Sequence, residues 1–337
     1  MKLTQMINTV DSHTAGEPTR IIVSGFPPVK GATMAERMEY LRTNMDWLRK
    51  SLMREPRGHR DMFGAILLPP FDPQADTAAI YMDGGLYYSM CGHGSLGICG
   101  MMVETGRVKR TPPKTTVRLE TPAGIVEGTV LTDHEGNIRE VSLVDVPSFA
   151  WAVDKEITLP GHGKITADIV YSGNFFVIVD QKELGIRSID PEHTTDLIEL
   201  GIAVRTAANE QIKVQHPAMT HIRTIDVCMI TAPPSGVHAD GRNIVILGEA
   251  QADRSPCGTG TCARMALLHR KGKLAKGQVF RHESSIRSVL KGEILAETRV
   301  GTFPAVIPQI SCRPFLTGFH AFVIDPDDPF AEGFVLA

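Results

Sequence analysis

The sequence predicts an α+β fold built as two similar halves, and three observations carry that expectation. Strand-like runs with turn signals outnumber the helical stretches, and they follow one another as hairpins rather than in a regular βαβ alternation. Cys91-Gly92-His93-Gly94-Ser95 returns as Cys257-Gly258-Thr259-Gly260-Thr261, a shared C-G-x-G-[S/T]. Each copy opens an apolar helical run that ends at a glycine 15 residues on, Gly106 or Gly272, followed by Arg107 or Lys273. A glycine just past a helix, with a cation beside it, is a C-terminal signature. A strand stands shortly before both copies. The simplest account is a duplicated strand–turn–helix unit, hence two similar halves facing each other.

The elements follow in order. Gln5–Val10 and Arg20–Val23 read as strands, with Asp11-Ser12-His13-Thr14-Ala15-Gly16-Glu17 as a polar loop between them. Met38, Leu41, Met45, Leu48 and Leu52 give helical spacing over Met34–Arg54, which stops before Glu55-Pro56-Arg57-Gly58. Phe63–Leu68 and Ala78–Met82 read as strands, and a helix runs from Cys91 to Thr105. Several strands occupy Thr116–Val179, with Gly161-His162-Gly163-Lys164 as a hairpin turn rather than a phosphate loop. A helix is expected over Thr194–Asn209, strands near Thr224–Ile230 and Asn243–Leu247, and a helix over Cys257–Lys271. Ser285–Leu290 and His320–Val323 read as further strands.

With 337 residues, the chain has room for two ordinary domains. Apolar residues at 42% and charged residues at 22% are ordinary for a soluble protein. A formal charge of −3 with no long basic run argues against nucleic acid as a partner. Met1–Val10 holds one lysine and no apolar core of a signal peptide, and no apolar stretch reaches the roughly 18 residues of a membrane span. A cytoplasmic protein without a membrane partner is the expectation.

The six cysteines, in a chain this long, do not read as a disulfide framework, and no C-x-x-C pair occurs. Cys99, Cys228 and Cys312 read as small buried apolar side chains. Cys91 and Cys257 differ because each opens a helix. A thiol there sits at the positive end of the helix dipole, which raises its thiolate fraction. The Gly-x-Gly that follows leaves backbone N–H groups uncovered, and such groups bind a carboxylate.

Inverting an α-carbon requires a proton to leave one face and another to arrive on the opposite face. Two opposed thiols do this without moving: a thiolate accepts, a thiol donates, and the reverse reaction exchanges the roles. Charge that develops on the carboxylate is stabilised by the helix N-termini. Asp253, four residues before Cys257, could accept a hydrogen bond from an ammonium group or serve as a turn residue. His93 could stand on the same side or be a surface loop residue.

Other readings are weaker. Gly92-His93-Gly94-Ser95-Leu96-Gly97 matches G-x-G-x-x-G, but no acidic residue closes a second strand about 20 positions on, so NAD is not expected. A zinc site from Cys91, His93, Cys257 and Cys262 would leave the duplicated glycines without a purpose. A non-catalytic small-anion binding protein with two opposed amide nests is the alternative outside enzymology.

The two cysteine turns, Ser89-Met90-Cys91-Gly92-His93-Gly94 and Asp253-Arg254-Ser255-Pro256-Cys257-Gly258-Thr259-Gly260-Thr261, resemble those of the proline racemase family, cofactor-independent members of the diaminopimelate-epimerase-like fold. The likeness extends to residues 11–17, to Glu55–His59 with Asp61-Met62-Phe63-Gly64, to Gly173-Asn174-Phe175-Phe176 and to Thr317-Gly318-Phe319-His320. It implies mixed α/β halves, each a barrel-like, mostly antiparallel sheet around a central helix, with the active site in the cleft between them. The expected boundaries are 1–127, joined by about 315–337, for the half with Cys91, and 128–314 for the half with Cys257.

The resemblance implies that Cys91 and Cys257 are the acid–base pair. It implies that Gly92, His93, Gly258 and Thr259 hold the carboxylate through backbone N–H groups, and that Asp253 with His93 meets the ring nitrogen. His221 matches a further substrate contact. No metal and no cofactor is implied, and a homodimer is. Members that dehydrate trans-3-hydroxyproline typically carry Thr in place of the second Cys, so this chain looks like a racemase or epimerase. Phe63 matches one aromatic wall of a proline pocket, whereas Leu247, ten residues before Cys257, departs from the second. Proline is the expected substrate, with 4-hydroxyproline the alternative.

Overall fold

The computed structural model describes residues 5–220, 222–248 and 250–336. The chain divides into two compact units, one comprising the chain up to Leu143 and the segment from Arg313 onward, the other Val144–Cys312.

The first unit opens with strand β1 (Gln5–Thr14) and strand β2 (Glu17–Ser24), antiparallel across a tight turn at Ala15 and Gly16. The polar stretch expected as a loop is therefore mostly strand. Its charge is matched across the pair: Asp11 lies opposite Arg20, and their side chains form a buried ion pair at 2.9 Å. Arg20 also donates to the Leu52 carbonyl at 2.7 Å. Helices α1 (Met34–Asn44) and α2 (Asp46–Met53) replace the single expected helix. Met45 leaves helical geometry at φ −136°, yet Leu41, Met45, Leu48 and Leu52 all stay buried. Thr33 caps α1 by accepting the Glu36 N–H.

Strands β3 (Phe63–Leu68), β4 (Thr77–Asp83) and β5 (Tyr87–Tyr88) lead into helix α3 (Gly92–Glu104). Strands β6 (Lys114–Thr121), β7 (Gly124–Thr132) and β8 (Ile138–Val144) follow. Residue 127 lies inside β7, which pairs with both β6 and β8, so the first unit runs on to Leu143.

The second unit contains β9 (Phe149–Leu159), β10 (Gly163–Ser172), β11 (Asn174–Asp180), α4 (Thr194–Gln211), β12 (Ile225–Ala232), β13 (Gly241–Leu247) and β14 (Gln251–Ala252). Helix α5 (Gly258–Arg270) comes next, then β15 (Phe280–Glu283), β16 (Val289–Val300) and β17 (Phe303–Cys312). The turn at 160–163 joins β9 to β10 as a hairpin. Ser285–Leu290 is largely a turn rather than a strand, with Ser284 and Ser288 bonded across it and Arg287 at φ +67°. Strand β18 (Pro314–Ile324) returns to the first unit and pairs antiparallel with β1.

The duplication extends beyond the cysteine turns to the strand order. In the first unit the sequence of neighbours is β18-β1-β2-β3-β4-β6-β7-β8, and in the second it is β9-β10-β11-β12-β13-β15-β16-β17. Both contain two parallel joins at matching places: β2 with β3 and β4 with β6, then β11 with β12 and β13 with β15. A two-residue strand, β5 or β14, pairs beside the cysteine turn in each. The fold is thus mixed α+β, mostly antiparallel sheet with few helices.

Helices α3 and α5 each bury most of their surface. Every residue of α3 from Gly92 to Val103 is buried, which its uncharged, all-round apolar sequence requires. Glycine makes the approach close. A Cβ on Gly100 would stand 2.6 Å from the Pro314 ring, and one on Gly128 of β7 would stand 2.4 Å from Cys99 Sγ. Both helices end as expected, at Gly106 (φ +71°) and Gly272 (φ +68°). In α5 the Gly272 N–H reaches the His269 carbonyl and the Lys273 N–H reaches that of Leu268.

The last residue of the repeated motif anchors each helix to its sheet. Ser95 Oγ hydrogen-bonds the Tyr81 hydroxyl of β4, and Thr261 Oγ1 lies 3.1 Å from His282 Nδ1 of β15. His282 is fully buried, and its Nε2 meets no hydrogen-bond partner among the described residues. Burial first, and the Arg264 guanidinium second, push its pKa down from 6.5 to about 3.

Two outcomes follow from this packing. Gly128→Ala should destabilise the protein by about 1–3 kcal/mol in urea unfolding, because the added methyl overlaps Cys99. Cys99→Ala in the same chain should recover part of that loss, and strictly additive effects would show that the two positions do not clash. Between pH 6.5 and 3 the unfolded chain holds a proton on His282 that the folded chain lacks. Stability should therefore fall as pH drops through that window, by at most about 1.4 kcal/mol per unit from this group. His282→Gln should flatten that slope, and an unchanged slope in urea titrations from pH 7 to 4 would assign it to other groups.

Candidate functional site

In the first unit Cys91 is the N-cap of α3, with extended backbone at φ −150° and ψ 126°. Its Sγ accepts the Gly94 N–H at 3.4 Å, the place a capping Ser or Asp oxygen would take. The first helical amides, on Gly92 and His93, have no acceptor within the helix. The His93 carbonyl is held by the Thr14 hydroxyl at 3.0 Å. The His93 ring turns back on the cysteine, with Nδ1 3.2 Å from Sγ. Gly94 leaves room for the Tyr81 ring, which a Cβ would meet at 3.1 Å.

Phe63 lies against this turn. It is buried, meets the His93 ring edge-on at 4.6 Å between centroids, and stacks on Tyr88 at 5.7 Å. The Tyr88 hydroxyl donates to Asp83, whose other oxygen accepts the Gly85 and Leu86 amides, each at 2.7 Å. This carboxylate fixes the hairpin that leads to Cys91. Burial, then the Asp83 charge, push the Tyr88 phenol well up, so it stays neutral.

In the second unit Cys257 is the N-cap of α5, and its Sγ accepts the Gly260 N–H at 3.3 Å. The backbone differs from the first copy: Cys257 has φ +64° and ψ 123°. A non-glycine residue there carries strain of about 1–3 kcal/mol. A short relay holds it. The Cys257 N–H donates to Ser255 Oγ at 3.0 Å, and the Ser255 hydroxyl and N–H both donate to Asp253 Oδ1 at 2.7 Å. Asn243 Nδ2 donates to the Pro256 carbonyl at 2.9 Å. Thr259 Oγ1 lies 3.6 Å from Cys257 Sγ. A Cβ on Gly260 would meet Cys257 Cβ at 2.9 Å, so glycine is needed directly under the thiol.

The structure therefore brings Cys91, Gly92, His93 and Phe63 together in one unit, and Cys257, Gly258, Thr259 and Asp253 together in the other. Asp253 is buried, and its Oδ1 accepts the Ser255 N–H and hydroxyl. Leu247 ends β13, half-buried, opposite Gln251. His221 lies outside the described residues. Tyr88, Asp83 and Ser255 were not singled out by sequence. Ser255 lies inside the second quoted turn, whereas nothing in the local pattern marks Tyr88 or Asp83. Among the described residues no group of three or more His, Cys, Asp or Glu side chains is placed to hold a metal ion. Cys262 is fully buried, and burial, then the Asp145 charge, push its thiol well up.

A family profile described as proline racemase matches residues 9–335. A proline racemase of Clostridioides difficile is 46% identical over 336 residues, covering all of both chains. A 4-hydroxyproline 2-epimerase of Streptosporangium roseum is 41% identical, again over the full length of both. Among solved structures, a hydroxyproline epimerase of Agrobacterium vitis with bound trans-4-hydroxy-L-proline superposes with a TM-score of 0.88 at 32% identity, covering 100% of this chain and 96% of that one. A matching fold, the duplicated cysteine turns and full-length similarity agree: the chain belongs to the proline racemase family.

Proposed function

We propose that this isomerase inverts the α-carbon of proline without a cofactor, with Cys91 and Cys257 as its two proton carriers. The observation that carries the reading is the repeated placement of a thiol at the N-cap of a buried helix, with Sγ accepting the N–H three residues on. In one direction a thiolate takes the α-proton from one face of the substrate, and the other thiol gives its proton to the opposite face. The first cysteine ends as thiol and the second as thiolate, so the return reaction starts from the complementary form. No net proton is gained or lost. The amides of Gly92, His93, Gly258 and Thr259 suit a carboxylate, whose charge grows as the α-carbon loses its proton. Asp253 serves the substrate ammonium, with His221 as a further contact.

A second reading, 4-hydroxyproline 2-epimerase, is favoured by one residue. Leu247 stands where an aromatic wall is expected for a proline pocket, and its branched chain leaves a different shape for a ring hydroxyl. Phe63, stacked on Tyr88, supports the unsubstituted ring. Phe63, packed edge-on against His93, is what favours proline as the substrate in this reading. Among the described residues no helix is long and apolar enough to cross a membrane. A homodimer in the cytoplasm is the state we propose on the family's account.

Proton NMR in heavy water separates the substrates. L-Proline should lose its α-proton signal while its optical rotation decays to zero. Exchange confined to trans-4-hydroxy-L-proline would assign the epimerase instead, and exchange with neither would remove the proline assignment. Cys91→Ser and Cys257→Ser should each lower turnover by about 10²–10⁴-fold while a planar analogue, pyrrole-2-carboxylate, still binds. A single Ser variant that racemises at the wild-type rate would end the two-thiol reading. Phe63→Ser should raise the ratio of kcat/KM for hydroxyproline over proline, and an unchanged ratio would take Phe63 out of the ring pocket.

A further inference from the structure

The two cysteine turns are equivalent in sequence offset and differ in what touches the sulfur. Two residues after Cys91 stands His93, with Nδ1 3.2 Å from Sγ and Nε2 at 3.9 Å. Two residues after Cys257 stands Thr259, whose hydroxyl lies 3.6 Å from Sγ. An imidazole exchanges protons near neutral pH and a hydroxyl does not. The His93 ring cannot swing away easily: Phe63 packs its ring against it, and Thr14 holds its carbonyl.

We propose that His93 is the proton partner of Cys91, its Nδ1 sharing a proton with Sγ so that the first thiol rests as thiolate near neutral pH. Sγ then receives two donors, His93 Nδ1–H and the Gly94 N–H, at the positive end of α3. A neighbouring imidazolium and hydrogen bonds to the charged form both lower a thiol pKa, while partial burial raises it. Among the described residues, two phenols act on this sulfur from the sheet, those of Tyr81 on β4 and Tyr88 on β5. Burial pushes both well up, and the Cys91 charge adds to each, so they stand neutral and do not compete for the role. Asp83 lies behind Tyr88 and is bonded to its hydroxyl.

The His93 side chain thus acts through Cys91, separately from the backbone N–H that the proposed function places on the carboxylate. This deepens the racemase reading and rests on it for one consequence only: Cys91 is the base in the resting enzyme, and the enantiomer that presents its α-proton to Cys91 is the one this form converts.

The test does not need a substrate. In the Cys257→Ser protein, iodoacetamide labelling of Cys91 is followed by peptide mass spectrometry across pH 5–10, with His93 intact and as His93→Asn or His93→Gln. Peptide readout separates Cys91 from Cys312, which is also partly exposed. The labelling midpoint should lie below about 8.5 with His93 present and rise by about one unit in either variant. The same midpoint with and without His93 overturns the proposal. A second readout needs no change at His93: the ultraviolet thiolate absorbance of a Cys257→Ser, Cys312→Ser protein, whose midpoint at or above about 8.5 overturns it equally. A shifted midpoint in an enzyme that exchanges no α-proton would leave the pair standing and sink the racemase reading. α-Proton exchange with an unshifted midpoint would do the reverse.

Discussion

The start of a buried helix is the constraint on which the rest of this structure depends. In each unit one helix is enclosed by sheet, and its first turn must find acceptors for N–H groups that the helix cannot satisfy. A cysteine sulfur takes one of them in both units. The remaining amides keep their direction because the helix body is fixed: Ser95 to Tyr81 and Thr261 to His282 tie the second turn of each helix to a strand. The glycines of the motif and of the facing strands permit that fit, since a single methyl at Gly100 or Gly128 would overlap a neighbour. Packing thus sets the direction in which the amides at each helix start point.

The duplication is close in topology and loose in detail. Strand order, the two parallel joins and the helix terminators repeat. The immediate surroundings of sulfur do not. One thiol sits on extended backbone beside an imidazole and an aromatic stack. The other sits on strained backbone held by Ser255 and Asp253. A racemase must treat two mirror-image substrates almost alike, yet its two proton carriers need not be chemically alike. Under the proposed two-thiol transfer, what must balance is the sum over the pair, because each turnover would leave one sulfur protonated and the other not.

Much of this was legible in the sequence. The helices from Cys91 and Cys257 and their glycine stops were readable because helix ends depend on local chemistry, a cap at one end and a left-handed residue at the other. The strand content followed from alternation and turn signals. What escaped depended on contacts between distant residues. The polar run from Asp11 to Glu17 looked like a loop because its charge is neutralised by Arg20, which no local window shows. The Ser or Thr closing each motif was visible without a purpose, since its partners, Tyr81 and His282, lie elsewhere in the chain. The His93 ring was expected near the substrate nitrogen. Its contact with Cys91 Sγ depends on a side-chain rotamer, which residue order does not specify.

The backbone of Cys257 has a consequence for how this protein can change. A residue at φ +64° is one where glycine would relieve strain of about 1–3 kcal/mol, so the most stabilising substitution at this position deletes the sulfur. On the proposed two-thiol reading, selection for thermal endurance alone would pull the chain towards an inert protein, and selection for turnover would pull it back. The second cysteine turn is therefore a point of local frustration, where the fold's preference and the chemistry's need disagree. Variants screened only for robustness should drift at this position, while the first turn, whose cysteine rests on ordinary extended backbone, has no such slope to descend.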